Sequence, residues 1–172
     1  ALAHLREVCA EVITSPMPRA RWRDGLAFGR SVLHREPVLI ARDWVPAMAD
    51  RLRALTDAQR FDVIHADQLW MAPYALAARA AAPTALRLVL DQHNAVYLIP
   101  QRLARAARGP RRLFWQREAA LMARYEARIC LAFDHVVTVS EPDQQALLAL
   151  YPQPPRPAFP PAIPICIDAQ AA

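Results

Sequence analysis

Lysine is absent from this sequence, and all 21 basic residues are arginine. Together with the abundance of alanine, this reflects genome composition, so the net charge of +5 says little about function by itself. Cysteine is scarce. Cys9, Cys130 and Cys166 lie far apart, are odd in number and form no C-x-x-C pair, which argues against a disulfide framework or a zinc site. The pattern fits a reducing compartment, so a cytoplasmic location is expected, with each cysteine read as a small buried apolar residue. Long apolar runs are also missing. The most membrane-like window, Leu69 to Leu90, contains Arg79, Arg87, Pro73 and Pro83, which argues against a spanning helix. No charged-then-apolar segment opens the chain, and its first residue is not Met.

What is present suits one folded domain. With 172 residues, 55% hydrophobic and 22% charged, the chain is long enough to bury a core. Short β-branched runs alternate with longer segments of alanine, leucine and arginine. Strands are expected at Glu11–Thr14, Phe61–His65, Leu86–Leu90 and His135–Val139. Helices are expected over Arg21–Leu33, from an Asp43 N-cap to about Leu55, over Met71–Ala78, and through a long region broken near Gly109-Pro110 that resumes to about Leu131. Ser140 should cap a further helix, with Pro142 in its first turn and Asp143 three residues on. Alternation of this kind predicts an α/β fold with an open parallel, Rossmann-like sheet and helices on both faces. Residues 1–151 form that domain. Residues 152–172, with seven prolines between 152 and 164, read as a stiff connector that ends in a short strand at Ile163–Ile167.

In an open parallel sheet, ligands bind beyond the carboxyl ends of the strands. Three expected strands end in polar clusters there: His65-Ala-Asp67-Gln68, Asp91-Gln-His93-Asn94 and Ser140-Glu141. His93 is the sharpest candidate, either facing a cleft or fixing its loop through a backbone carbonyl; its ring can change charge near neutral pH. Asp67 and Gln68 are placed to meet a sugar hydroxyl, although helix capping also accounts for Asp67. His65 reads as a buried histidine bonded to its neighbours, and Asp91 as a residue holding the following loop. Capping is the primary expectation for Ser140, and the helix end it opens, with Glu141, would suit a phosphate.

Charge is concentrated between Gln101 and Arg128. Eight arginines stand there against two glutamates, a net +6. Arg105, Arg108, Arg111, Arg112 and Arg117 are interleaved with Phe114 and Trp115. The segment is expected to be a solvated outer helix face, or one lying on an anionic membrane surface. Nucleic acid is not expected, since no binding motif accompanies the charge. Glu118 and Glu126 spell E-x7-E, but within one helix they lie roughly 12 Å apart. They read as coincidence, with Glu126 tied to a neighbouring arginine.

The stretches Phe61-Asp-Val-Ile-His65 with Met71-Ala-Pro-Tyr74, Leu90-Asp-Gln-His-Asn94, Arg124-Tyr-Glu-Ala-Arg128, Phe133-Asp-His-Val-Val-Thr-Val-Ser140 and Ile163-Pro-Ile-Cys-Ile-Asp168 have a telling order and spacing. Together they resemble the N-terminal domain of retaining glycosyltransferases of the GT-B fold, the family four enzymes that include bacterial polysaccharide and phosphatidylinositol mannosyltransferases. The likeness is nearest to the sugar transferases of exopolysaccharide systems.

The resemblance implies half of a pair of Rossmann-like domains, with sugar transferred from a nucleotide-sugar to a glycan or lipid-linked acceptor and no bound metal. His93 matches the histidine that faces the reacting sugar and acceptor, while Asp67, Gln68 and Asn94 fall on the acceptor side. No cofactor is expected on this piece itself; the nucleotide-sugar belongs to a second, C-terminal donor domain, without which the piece is expected to be inactive. A peripheral position on the inner face of the plasma membrane is expected.

The sequence also departs from the family pattern. The usual first strand with its glycine-rich turn is missing, glycine occurring only at 25, 29 and 109. Asp67 replaces a second His, and Ile165-Cys166 replace Asn-Gly. Two other readings stand beside this one: a non-catalytic α/β module docking through its basic helix on an anionic membrane or acidic protein, and a sugar-nucleotide epimerase.

Overall fold

Proline positions and apolar alternation set the elements seen in the computed structural model, which describes residues 2–17, 20–83 and 85–164. Helices α1 (Leu2–Val8), α2 (Arg21–His34), α3 (Val38–Asp43) and α4 (Pro46–Ala58) precede the sheet. Strand β1 (Val63–Asp67) leads through a short 3₁₀ turn (Leu69–Met71) into α5 (Ala72–Ala81) and then β2 (Arg87–Gln92). Helices α6 (Leu98–Ala106) and α7 (Gly109–Ala132) follow, then β3 (His135–Thr138) and α8 (Glu141–Leu148). The strands lie in the order β1-β2-β3, all parallel. This is an α/β fold with an open parallel sheet flanked by helices, the Rossmann-like arrangement that alternation predicts.

The sheet buries one face thoroughly. Ala66, Leu88, Leu90 and Val136 meet Ala72 and Ala75 of α5 and Met122, Tyr125, Ile129 and Cys130 of α7 in one apolar cluster. Leu88 and Leu90 are fully enclosed, each contributing about 2 kcal/mol by leaving water. Alternate residues on the other face, Val63, His65, Arg87 and His135, are exposed. Gly109 opens α7 at φ 58°, a left-handed conformation that glycine adopts without steric cost, and Pro110 follows in the first turn.

Several expectations are corrected. Glu11–Thr14 is irregular chain, with no strand. The helix expected from Asp43 starts instead at Pro46: Asp43 ends a separate helix, α3, and Val45 precedes α4. Pro46 is the reason, because the residue before a proline is pushed out of the helical region; Val45 is extended at φ −118°, ψ 103°. Cys9 is exposed, unlike the buried Cys130. The expected strand at Ile163–Ile167 lies largely outside the described residues. What is described of the proline-rich segment runs beside β3, where Ala158 O accepts from Val136 N–H at 3.0 Å and Ile163 N–H donates to Thr138 O at 2.8 Å.

Candidate active site at the carboxyl rim of the sheet

The parallel register places Asp67 directly beside Asp91. His93 lies two residues beyond Asp91, in the bend that follows β2. Its Nε2 comes to 3.0 Å from Oδ1 of Asp67 and 3.7 Å from Oδ1 of Asp91. The side-chain amide nitrogen of Gln68 lies 3.4 Å from Nδ1. In the tautomer whose Nδ1 accepts from that amide, Nε2 carries the ring proton and donates to Asp67. The imidazole is one-third exposed and the Asp67 side chain two-thirds exposed, so this pair faces solvent at the rim.

Gln68 holds an unusual backbone. At φ 69°, ψ 159° it lies in a region nearly restricted to glycine and costing about 1–3 kcal/mol. The surroundings impose it: Gln68 N–H donates to Asp91 O at 2.8 Å, Gln68 O accepts from Met71 N–H at 3.0 Å, and Leu69 is fully buried immediately after. Strain of this kind concentrates at working sites.

The remaining expectations fare unevenly. His65 is exposed, not buried, and its Nε2 lies 3.7 Å from Oδ2 of Asp91, because β1 turns this residue to the open face of the sheet. Asp91 stands between two histidines, and its Oδ1 is enclosed with no hydrogen-bond partner among the described residues. Carboxylate oxygens of Asp67 and Asp91 and a ring nitrogen of His93 all lie within 4.8 Å of one another. A cation could bridge such a set, but only with the Nε2 proton displaced. Asn94 is exposed and lines, with Gln68, Trp70, His93 and Ile99, a cavity of about 110 Å³. Small-molecule pockets usually enclose about 300–1,000 Å³, so this cavity by itself is too small to enclose a sugar, and its residues offer at most a wall.

Ser140 is the N-cap of α8, its Oγ accepting from Asp143 N–H at 3.2 Å. The carboxylate of Asp143 also receives the Ser140 hydroxyl. With Glu141 and Asp143 both in the first turn, that helix end already carries its complementary negative charge.

Behind the rim, Glu126 is fully buried. It is not tied to an arginine, as expected, but accepts from Val96 N–H (2.8 Å), Tyr97 N–H (2.9 Å) and the Gln92 side chain. Burial raises its carboxyl to about 7 against these hydrogen bonds. Sequence reasoning missed this role, yet a signal existed. Residues 118, 122, 126 and 130 recur at helical spacing, and Met122 and Cys130 are apolar, which marks Glu126 as inward-facing.

Of the basic residues, Arg105, Arg108, Arg111 and Arg112 are exposed, and so is Leu113, at 68%. Arg108, Arg111, Leu103 and Trp115 line a surface cavity of about 420 Å³. Arg117 does not belong to this outward set. It reaches inward, donating to Ser31 Oγ (3.1 Å), Ser31 O (3.0 Å) and Glu118 Oε1 (2.8 Å). No helix among the described residues is long and apolar enough to cross a membrane.

No curated protein and no solved structure matches the chain. Residues 8–160, spanning the sheet, the His93–Asp67 rim and the capped α8, match the sequence model of Glycosyltransferase Family 4, and the chain belongs to that family.

Proposed function

We propose that the chain is the acceptor-side domain of a retaining hexosyltransferase that moves sugar from a nucleotide-sugar to a glycan or lipid-linked acceptor in exopolysaccharide biosynthesis. The observation that carries this reading is the His93–Asp67 pair, 3.0 Å apart at the carboxyl rim, where α/β sheets bind ligands. Asp67 and Gln68 orient the ring from both nitrogens, leaving its exposed edge for the reacting sugar and acceptor hydroxyl. Asn94 adds an amide that bonds polyols directionally. The donor nucleotide and the stabilisation of its leaving phosphate belong to a partner donor domain across the wall described above.

Exposed arginines of α6 and α7, with Leu113 of α7 also exposed, favour docking on the anionic inner face of the plasma membrane, which would bring a lipid-linked acceptor to the rim. The test joins the chain to a donor domain and follows sugar transfer. Turnover lost in His93→Ala supports the reading, and unchanged turnover refutes it. The rival reading, a non-catalytic module, requires tight binding to anionic vesicles with no transfer in the joined protein.

A further inference from the structure

The loop carrying His93 belongs to neither β2 nor α6, yet its back is fastened by two carboxylates from other helices. Glu126 of α7 accepts from Val96 N–H at 2.8 Å, Tyr97 N–H at 2.9 Å and the Gln92 side-chain amide. Asp143 of α8 accepts from Ala95 N–H at 3.0 Å. Backbone leaving a strand has N–H groups without ladder partners, and burying them unmet is costly. Capping of α6 would need only an oxygen from its own N-cap residue. Here a carboxylate reaches in from another helix and also grips Gln92, so it holds the chain on both sides of His93 and Asn94.

We infer that Glu126 is a positioning residue for His93: its ionised carboxylate sets the path of residues 92–97 and, through it, the meeting of His93 with Asp67. This rests on the role given to His93 above, but its test needs no transfer activity. The groups facing Glu126 are Gln92 from β2, Val96 and Tyr97 at the start of α6, Asp143 from α8, Cys130 on its own helix, and Tyr151 beyond α8. None is basic, so its charge is held by hydrogen bonds alone. With its carboxyl raised to about 7, the clamp loses its charge-assisted bonds just below neutrality, and neutral bonds are about half as strong.

The experiment uses the isotope-labelled full chain and reads the His93 imidazole resonances and the exchange protection of the Val96 and Tyr97 amides. Glu126→Gln should shift the His93 resonances and cut that protection at least about tenfold, the scale of one charge-assisted bond. Glu118→Gln, at the other buried carboxylate of α7, should leave both unchanged. In the unaltered chain, openings that free these amides while Glu126 stays buried should become easier as pH is lowered through about 7, so that their protection falls, a measurement that stands even where Glu126→Gln does not fold. Unmoved His93 resonances in Glu126→Gln, an equal shift in Glu118→Gln, or protection independent of pH would each overturn the assignment. Loss of the transfer reading at His93, with the clamp behaving as expected, would leave Glu126 a positioner of a loop with another purpose.

Discussion

His93 and Asp67 meet at 3.0 Å because parallel register sets Asp67 beside Asp91 and the bend after β2 turns His93 back over the end of β1. The contact spans two strands, and neither segment makes it alone. In the protein joined to a donor domain, His93→Ala should lower kcat by about 10²–10⁴-fold, the usual worth of a positioned acid or base. Asp67→Asn keeps the shape and removes the charge, so a smaller loss of about tenfold is expected. Steady-state transfer kinetics measure both, and equal, negligible effects would dissolve the pair as a functional unit.

Gln68 should trade stability for position. Gln68→Gly removes the strain at φ 69° and should stabilise the fold by about 1 kcal/mol, read as a higher urea midpoint. It also removes the partner of His93 Nδ1, so transfer should weaken while stability rises. A lower midpoint would show that the Gln68 side chain contributes more than its backbone costs.

Stability should depend on pH through Glu126. Its folded value, about 7, lies above the ordinary 4.5, so the folded state holds the proton more tightly than the unfolded chain does. The resulting stabilisation is fully present below 4.5 and is lost as pH rises through 7, on the order of 3 kcal/mol. Glu118, also raised by burial, acts in the same direction, so the informative quantity is the difference between the unaltered chain and Glu126→Gln. Thermal melts across pH should show a shallower decline in the variant. Global stability and the hold on the His93 loop therefore respond to acid in opposite directions.

The arginines divide by direction. Replacing Arg111 and Arg112 with Ala should reduce co-sedimentation with anionic vesicles several-fold, at about 1 kcal/mol for each charge near the surface. Arg117→Ala should leave vesicle binding nearly intact and lower the melting temperature instead, since it unfastens Ser31 of α2 from Glu118. Equal effects on vesicle binding would mean that net charge alone matters.

Much of the architecture was legible because it depends on local patterns. Three apolar runs became the three strands, Ser140 capped α8 as its spacing requires, and Gly109-Pro110 divided the long helix. Misreadings arose where local cues competed. Glu11–Thr14 has β-branched residues but no neighbouring strand among the described residues, and β propensity expresses itself only against a partner. Asp43 looked like a cap, yet Pro46 placed the helix start three residues later. His93, Asp67 and Gln68 come together at the rim, a placement that was legible because polar residues after apolar strands fall at the sheet's edge. Glu126 was missed because a charged residue on a basic helix invites an arginine partner, whereas its donors are backbone amides of a distant loop.

By itself the sequence determined the parallel α/β order and the rim on which the polar clusters fall, since both follow from short-range periodicity and spacing. Only the tertiary structure decided which side chains touch: Asp67 with His93, Asp91 between two histidines, Glu126 beneath the loop, Arg117 turned inward. Those choices depend on register between strands and on which face of a helix is buried, and both are set by packing between segments far apart in the chain.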